Sequence, residues 1–420
     1  MILPDALAKA NHEFSRRYPG DTGRRQPVHT VYGGAHLFKA DTCGKMGRLA
    51  ERTLHEFAPD ASTFAMAFGI PQPLAEVVHT RVLEKLRRES VEDFRIDFED
   101  GYGYRPDAEE DAAADSAAEE VRNGVAAGTL PPFLGIRIKC LSEELKGRSV
   151  RTLARFLNAL GSDLPENFVV TLPKITVPEQ VTALVDVLDQ LGSGVKIEMM
   201  IETPQSIFLL PSLLDAARGR MIAAHFGAYD YTASLGITAA QQHMLHPACD
   251  FARSMMQASL AGTGVWLSDG ATNIIPVAPH RGTALTTEQS AENRMVIHHA
   301  CKLHYDHVRH SLDHAFYQGW DLHPAQLPAR YAAVYSFFLE GMDAASERLR
   351  NFMSRAAQAT LVGDVFDDAA TGQGLLNYFL RAINCGAIAE ADAPALTSLS
   401  LDELRSASFV QILNGRRASG

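Results

Sequence analysis

Short apolar, β-branched runs alternate with longer amphipathic stretches along most of this chain. The runs fall at residues 28–32, 94–98, 133–139, 168–172, 195–201, 221–226, 264–267 and, more faintly, 320–322. Several are continuously apolar, as strands covered on both faces read. Between them, residues 177–191 and 205–218 carry helical periodicity, and Pro178 suits a first helical turn. Strand–helix alternation predicts a parallel sheet, and about eight such units predict a closed (β/α)8 TIM barrel. An open doubly wound sheet would favour a glycine-rich dinucleotide turn after its first strand. The only candidate, Tyr32-Gly-Gly-Ala-His36, lacks the GxGxxG spacing. The expected organisation is an N-terminal helix and lead-in over residues 1–27, a catalytic barrel over 28–330, and a helical C-terminal extension over 331–420. Residues 107–120, rich in Ala, Asp and Glu, read as a solvated helix.

Composition narrows the partners. The chain has 420 residues, 46% hydrophobic and 21% charged, an ordinary globular balance. Its net charge of −11, with no basic run, argues against nucleic acid. Cys43, Cys140, Cys249, Cys301 and Cys385 are scattered and odd in number, which predicts reduced thiols and no disulfide framework. The first 17 residues lack a signal-peptide pattern and no apolar run has membrane-spanning length, so a cytoplasmic protein without membrane contact is expected.

Catalytic groups of a barrel sit where its strands end. Here the second run ends in Asp97-Phe-Glu-Asp-Gly-Tyr-Gly103, the third in Ile136-Arg-Ile-Lys139, the fourth in Leu172-Pro-Lys174, the fifth in Ile201-Glu-Thr-Pro204 and the sixth in His225-Phe-Gly-Ala-Tyr-Asp230. Several carboxylates at one mouth repel each other unless a cation compensates or their pKa values rise. Two carboxylates with waters and a ligand oxygen suit Mg²⁺. Glu202 and Asp230, ending neighbouring strands, are the candidate metal ligands, with Glu99 and Asp100 holding metal-bound waters. Taken singly, each acid could equally be a helix N-cap or surface group. Arg137 lies inside an apolar run and must have a partner: a substrate carboxylate or enolate oxygen, or a barrel acid in a structural salt bridge. Lys174 is either a catalytic amine or a charge balancing the acids, with the second favoured.

These residues resemble the citrate lyase β-subunit/HpcH–HpaI aldolase family. Phe98-Glu-Asp-Gly101 stands where that family carries an Asp-Leu-Glu-Asp-Ala motif. Arg137, Pro173-Lys174, Ile201-Glu-Thr-Pro204, Phe226-Gly-Ala-Tyr-Asp230, Phe251-Ala-Arg253, Ser268-Asp-Gly270 and Gly319-Trp-Asp-Leu-His-Pro-Ala-Gln-Leu327 follow in the family's order. One such motif is weak; a series in order is specific. The resemblance implies a TIM barrel, Mg²⁺ or Mn²⁺, a small 2-oxo acid or hydroxy acid substrate, aldol or Claisen-type lyase chemistry, and a homo-oligomer, trimer or hexamer. It implies that Glu202 and Asp230 take the metal and that Arg137 grips the 2-oxo acid. Thr203 and the backbone of Gly227, Ala228 and Tyr229 would then meet the substrate. Two departures stand out. Trp320 and Asp321 occupy the place where acyl-CoA-cleaving members often carry a lysine, and the first-strand region 28–39 is unlike the family start, so CoA dependence is not carried over.

The general base stays open among His36, Lys39, Asp269, Asp321 and a metal-bound hydroxide oriented by Glu99 or Asp100. His36 and Lys39 could instead hold a substrate phosphate or distal carboxylate. His298, His299, His304, His307, His310 and His314 fall in one helical pattern; a solvated or interface-facing helix is favoured over a zinc site. Two other functions compete: a phosphoenolpyruvate-linked phosphotransferase or mutase, which would need a phosphate grip, and a barrel that has lost activity.

Overall fold

The computed structural model describes residues 5–21, 23–282, 284–354, 360–362, 365–367 and 369–419. It divides into two compact units: Pro27–Leu260 with Val265–Ala333, and Met1–Gln26 with Ala261–Gly264 and Val334–Gly420.

Helix α1 (Asp5–Arg17) opens the chain. The first unit is built on eight strands: β1 (His29–Gly34), β2 (Asp93–Asp97), β3 (Phe133–Arg137), β4 (Phe168–Leu172), β5 (Lys196–Ile201), β6 (Met221–Phe226), β7 (Trp266–Ala271) and β8 (Gln318–Asp321). All pair in parallel in chain order, and β8 pairs back onto β1 to close the barrel. Helices α2 (Thr42–Phe57), α3 (Ala61–Phe68) and α4 (Ala75–Glu89) fill the first connection. Then α5 (Asp107–Ala127), α6 (Lys146–Leu160), α7 (Pro178–Gln190) and α8 (Pro204–Ala216) follow β2 to β5 in turn. Next, α9 (Ala228–Ser234) and α10 (Pro247–Leu260) follow β6, α11 (Thr287–Asp313) follows β7 and α12 (Leu327–Glu340) follows β8. All five cysteines are free thiols.

In the second unit, α13 (Met342–Ser354), α14 (Ala369–Asn384), α15 (Ala393–Thr397), α16 (Leu401–Arg405) and α17 (Phe409–Ser419) are joined by an antiparallel pair, β9 (Thr360–Val362) and β10 (Val365–Asp367). The expectation of helices alone after residue 330 is corrected by this ribbon, whose three-residue strands are too short to display a period. Among the described residues no helix is long and apolar enough to cross a membrane.

The barrel interior is more polar than the runs suggest. Successive residues of a strand face opposite sides. In β2 Phe94 and Ile96 therefore face the helices, while Asp93, Arg95 and Asp97 face inward. Arg95 donates to Glu198 (3.2 and 3.1 Å) and to Thr171 (3.0 Å), and also pairs with Asp93. Thr171 donates to Glu198 at 2.7 Å, and the Tyr32 hydroxyl reaches the same carboxylate at 3.2 Å. A buried charge this deep is stable only with such partners.

Four further expectations change under the helices. Asp321, a candidate base, is fully buried outside the barrel, bonded to His29 (2.8 Å), His304 (2.8 Å) and Arg330 (2.8 Å). Asp269 is likewise buried, accepting from Arg253 (2.8 Å) and Ser311 (2.6 Å). Both are committed to tying helices onto the barrel, because each occupies an outward-facing strand position. The histidine helix α11 is not solvated along its length: His304 and His307 are buried and share Thr272, at 2.9 and 3.0 Å. His310 and His314 do share a face, joined by Asp250 from α10. Asp250 is already engaged by His310 (2.9 Å) and Arg253 (2.8 Å). Nor is the acidic helix α5 wholly solvated, since Glu110 and Asp111 are buried against Lys139 and Arg148.

Candidate active site

The C-terminal ends of β2 to β6 bring Glu99, Asp100, Arg137, Lys174, Glu202 and Asp230 to one mouth. Arg137 is the centre of it. Its Nε donates to Asp97 Oδ1 at 2.7 Å and its Nη2 to Asp97 Oδ2, a two-bond clasp between neighbouring strands. The remaining Nη1 faces Glu99 Oε2 (3.2 Å) and Asp100 Oδ2 (3.8 Å). The guanidinium lies over the Tyr32 ring (4.8 Å) and near the Trp320 ring (5.6 Å). Asp97 also accepts from the N–H groups of Glu99 (2.9 Å) and Gly101 (2.7 Å), so the same carboxylate shapes the loop that carries Glu99 and Asp100. Gly101 has to be glycine there, because a Cβ would stand 2.6 Å from Asp97 Oδ2.

Lys174 takes the left-handed conformation (φ 50°), uncommon for a side-chain-bearing residue. This turns its N–H onto Glu202 Oε1 at 2.7 Å and sends its ammonium to Glu99 and to Asp100 (3.1 Å), with Asp230 at 3.7 Å. Burial opposes its charge, yet the Glu202, Glu99 and Asp100 carboxylates raise its pKa above the usual lysine value. The geometry is that of a charge balancing the acids.

Glu202 is buried and Asp230 is about half exposed. Burial, reinforced by the Asp230 and Glu99 charges and opposed by Lys174 and Arg137, pushes the Glu202 carboxyl up to about 8. Burial likewise raises Glu99, whereas Arg137 and Lys174 outweigh burial at Asp100 and lower it. Four carboxylates thus face two cations at this mouth. All four are hard oxygen donors, and a buried carboxyl held near neutrality is what a missing compensating charge produces. The residues present fit a hard divalent cation held by Glu202 and Asp230.

The other candidates sort by contact. Gly227 donates its N–H to Ile201 (3.1 Å) and begins α9, whose first-turn N–H groups, including those of Ala228 and Tyr229, have no acceptor within the helix. The Tyr229 side chain is tied to Ala271 O at 2.8 Å and accepts from Asn273 N at 3.2 Å. Thr203 caps α8, accepting from Ser206 N at 3.1 Å and donating to Ile175 O, so its hydroxyl is occupied. His36 is exposed beside Tyr102 of the β2 loop, its pKa lowered by burial and by Arg105. Lys39 pairs with Glu120 of α5 at 3.1 Å, away from the carboxylate cluster.

Sequence reasoning left Asp97, Tyr32 and His225 without roles. One signal could have found the first: β2 reads Asp-Phe-Arg-Ile-Asp, with its charges two apart and so on one face.

A family model described as a domain of unknown function, DUF6986, matches residues 7–412. The chain belongs to this family. Comparison with curated protein sequences finds no match. Among solved structures, this DUF6986 member is similar to a citrate lyase from Burkholderia xenovorans LB400, with a TM-score of 0.60 and 18% identity over 89% of this chain and 97% of that one. It is also similar to the CitE protein of Mycobacterium tuberculosis in complex with magnesium, acetoacetate and coenzyme A. There the TM-score is 0.51 and the identity 15%, over 86% of this chain and 99% of the other. These likenesses show a shared TIM-barrel fold.

Proposed function

We propose that this DUF6986 member is a divalent-metal-dependent carbon–carbon lyase or aldolase acting beside the 2-oxo group of a small acid such as pyruvate, oxaloacetate or glyoxylate. The observation that carries this reading is the convergence of Glu202 and Asp230 with Lys174 and with an arginine whose one unclasped edge faces the same mouth. The magnesium bound by the M. tuberculosis protein of like fold supports the choice of cation.

Glu202 and Asp230 would hold Mg²⁺ or Mn²⁺. When bound, such an ion polarises a 2-oxo group and stabilises negative charge developing on it. The chain's own residues do the rest. Arg137 offers its Nη1 edge to a substrate oxygen, while Asp97 prevents the guanidinium from turning away. A charged, preoriented donor of this kind counts most in a site closed to water. Lys174 holds Glu99 and Asp100 in place and favours their charged forms. A substrate carboxylate would be met by the first-turn amides of α9.

Calorimetric titration of the protein with pyruvate, oxaloacetate and glyoxylate, with and without Mg²⁺, tests the reading. Binding that requires Mg²⁺ and disappears in both Glu202→Gln and Arg137→Ala is expected. Absence of binding to every acid under both conditions would remove the 2-oxo acid assignment.

A further inference from the structure

Two histidines and an aspartate meet between α10 and α11, the helices that precede and follow β7. His310 and His314 stand one turn apart on one face at the end of α11, and Asp250 comes from the first turn of α10. One donor atom from each lies within 4.8 Å of the other two, and all three residues are half-buried. The acid is 60 positions from His310, so no local spacing announces the cluster. The buried histidines of the same helix, His304 and His307, turn instead to Thr272.

The hydrogen bonds around the cluster set which atoms are free to ligate. His314 Nδ1 meets the backbone carbonyl of His310 at 2.9 Å, and a carbonyl only accepts, so Nδ1 carries the proton. His314 Nε2 is left with its lone pair. A backbone carbonyl fixes the tautomer of metal-binding imidazoles in the same way. His310 Nε2 meets Asp250 Oδ1 at 2.9 Å. A divalent ion would replace the proton they share. Arg253 Nη1 donates to the same oxygen at 2.8 Å and so orients the carboxylate, while Oδ2 has no hydrogen-bond partner among the described residues. Arg253 does not cancel the charge of the site. It also pairs with Asp269 at 2.8 Å, and two carboxylates against one guanidinium leave one negative charge.

We propose that Asp250, His310 and His314 form a metal site apart from the barrel mouth, which takes zinc or a similar borderline ion and staples α10 to α11. Two nitrogens and one oxygen suit zinc, which accepts His and Asp in tetrahedral sets that can include a water. Mg²⁺ prefers oxygen donors throughout and is disfavoured here. An ion with bonds of about 2.0–2.2 Å draws tetrahedral donors to roughly 3.4 Å apart. From 4.8 Å at most, half-buried side chains close that difference by small χ rotations.

The test is zinc titration of the protein against a chromophoric chelator, with Mg²⁺ in excess to occupy the carboxylate mouth. The wild type is expected to take up one zinc ion that Mg²⁺ does not displace. Affinity should fall at least about tenfold in His314→Ala and in Asp250→Asn, which keeps an acceptor for Arg253. Both side chains are half-buried, so these substitutions leave the core intact. Glu202→Gln should bind zinc as the wild type does. No zinc uptake, or uptake that survives both His314→Ala and Asp250→Asn, would overturn the site. Uptake lost in Glu202→Gln and kept in His314→Ala would place the ion at the mouth and overturn it equally.

Discussion

Gly227 stands directly against Glu202: a Cβ on Gly227 would lie 2.4 Å from Glu202 Oε2 and 2.5 Å from its Cβ. The Glu202 Cβ cannot yield without moving β5. Gly227→Ala should therefore displace the carboxylate and cost about 1–3 kcal/mol of stability through overpacking. Urea denaturation reads the second effect and Mg²⁺ titration the first. Wild-type Mg²⁺ affinity in this variant would show that Glu202 is not a ligand.

Asp97 is expected to act through Arg137. Asp97→Ala leaves a buried guanidinium without its clasp and should cost about 3–5 kcal/mol. Asp97→Asn keeps one acceptor and should cost less, while still weakening binding of the 2-oxo acid. If Asp97→Asn binds the acid as the wild type does, Arg137 is oriented by something else.

The raised Glu202 pKa makes Mg²⁺ binding proton-linked. Metal-free, the carboxyl is neutral up to about 8, whereas in the unfolded chain it ionises in the ordinary carboxylate range. Stability of the metal-free protein should therefore fall as pH rises between those values. At pH 6.5, Mg²⁺ should displace close to one proton per ion, and its affinity should rise with pH until about 8. Calorimetry in buffers of different ionisation enthalpy counts the proton, and Glu202→Gln should abolish its release.

His225 and His307 work in the opposite direction. Burial holds both down to about 4, so they are neutral when folded and take up a proton near 6.5 when unfolded. Their contribution is complete above about pH 6.5 and is lost as pH falls toward 4. The loss is up to about 1.4 kcal/mol per pH unit for each. Denaturation midpoints between pH 7 and 5 should show this slope, and His307→Gln should flatten it. An unchanged slope would mean that other groups dominate acid unfolding.

Asp321 should matter for stability and not for ligand binding. Its carboxylate holds His29, His304 and Arg330, which together keep its pKa far below the usual range despite burial. Asp321→Ala is expected to cost about 3–5 kcal/mol. Asp321→Asn, if folded, should leave Mg²⁺-dependent binding of 2-oxo acids unchanged. Loss of binding in a folded Asn variant would return Asp321 to the list of reacting groups.

The eight strands could be placed from the chain alone because a buried parallel strand writes itself as a short local run. The residue after each run is local too, so Glu99, Asp100, Lys174, Glu202 and Asp230 could be assigned to one mouth before any pairing was known. Tertiary structure alone decided which of these charges meet. Asp97 rather than Glu99 clasps Arg137, 40 positions away. Tyr32 joins Glu198 and His225, 166 and 193 positions away, and His29 finds Asp321, 292 positions away. Such partners share no local pattern. They become neighbours only when the barrel closes, and a buried charge takes the partner that closure places within hydrogen-bond reach.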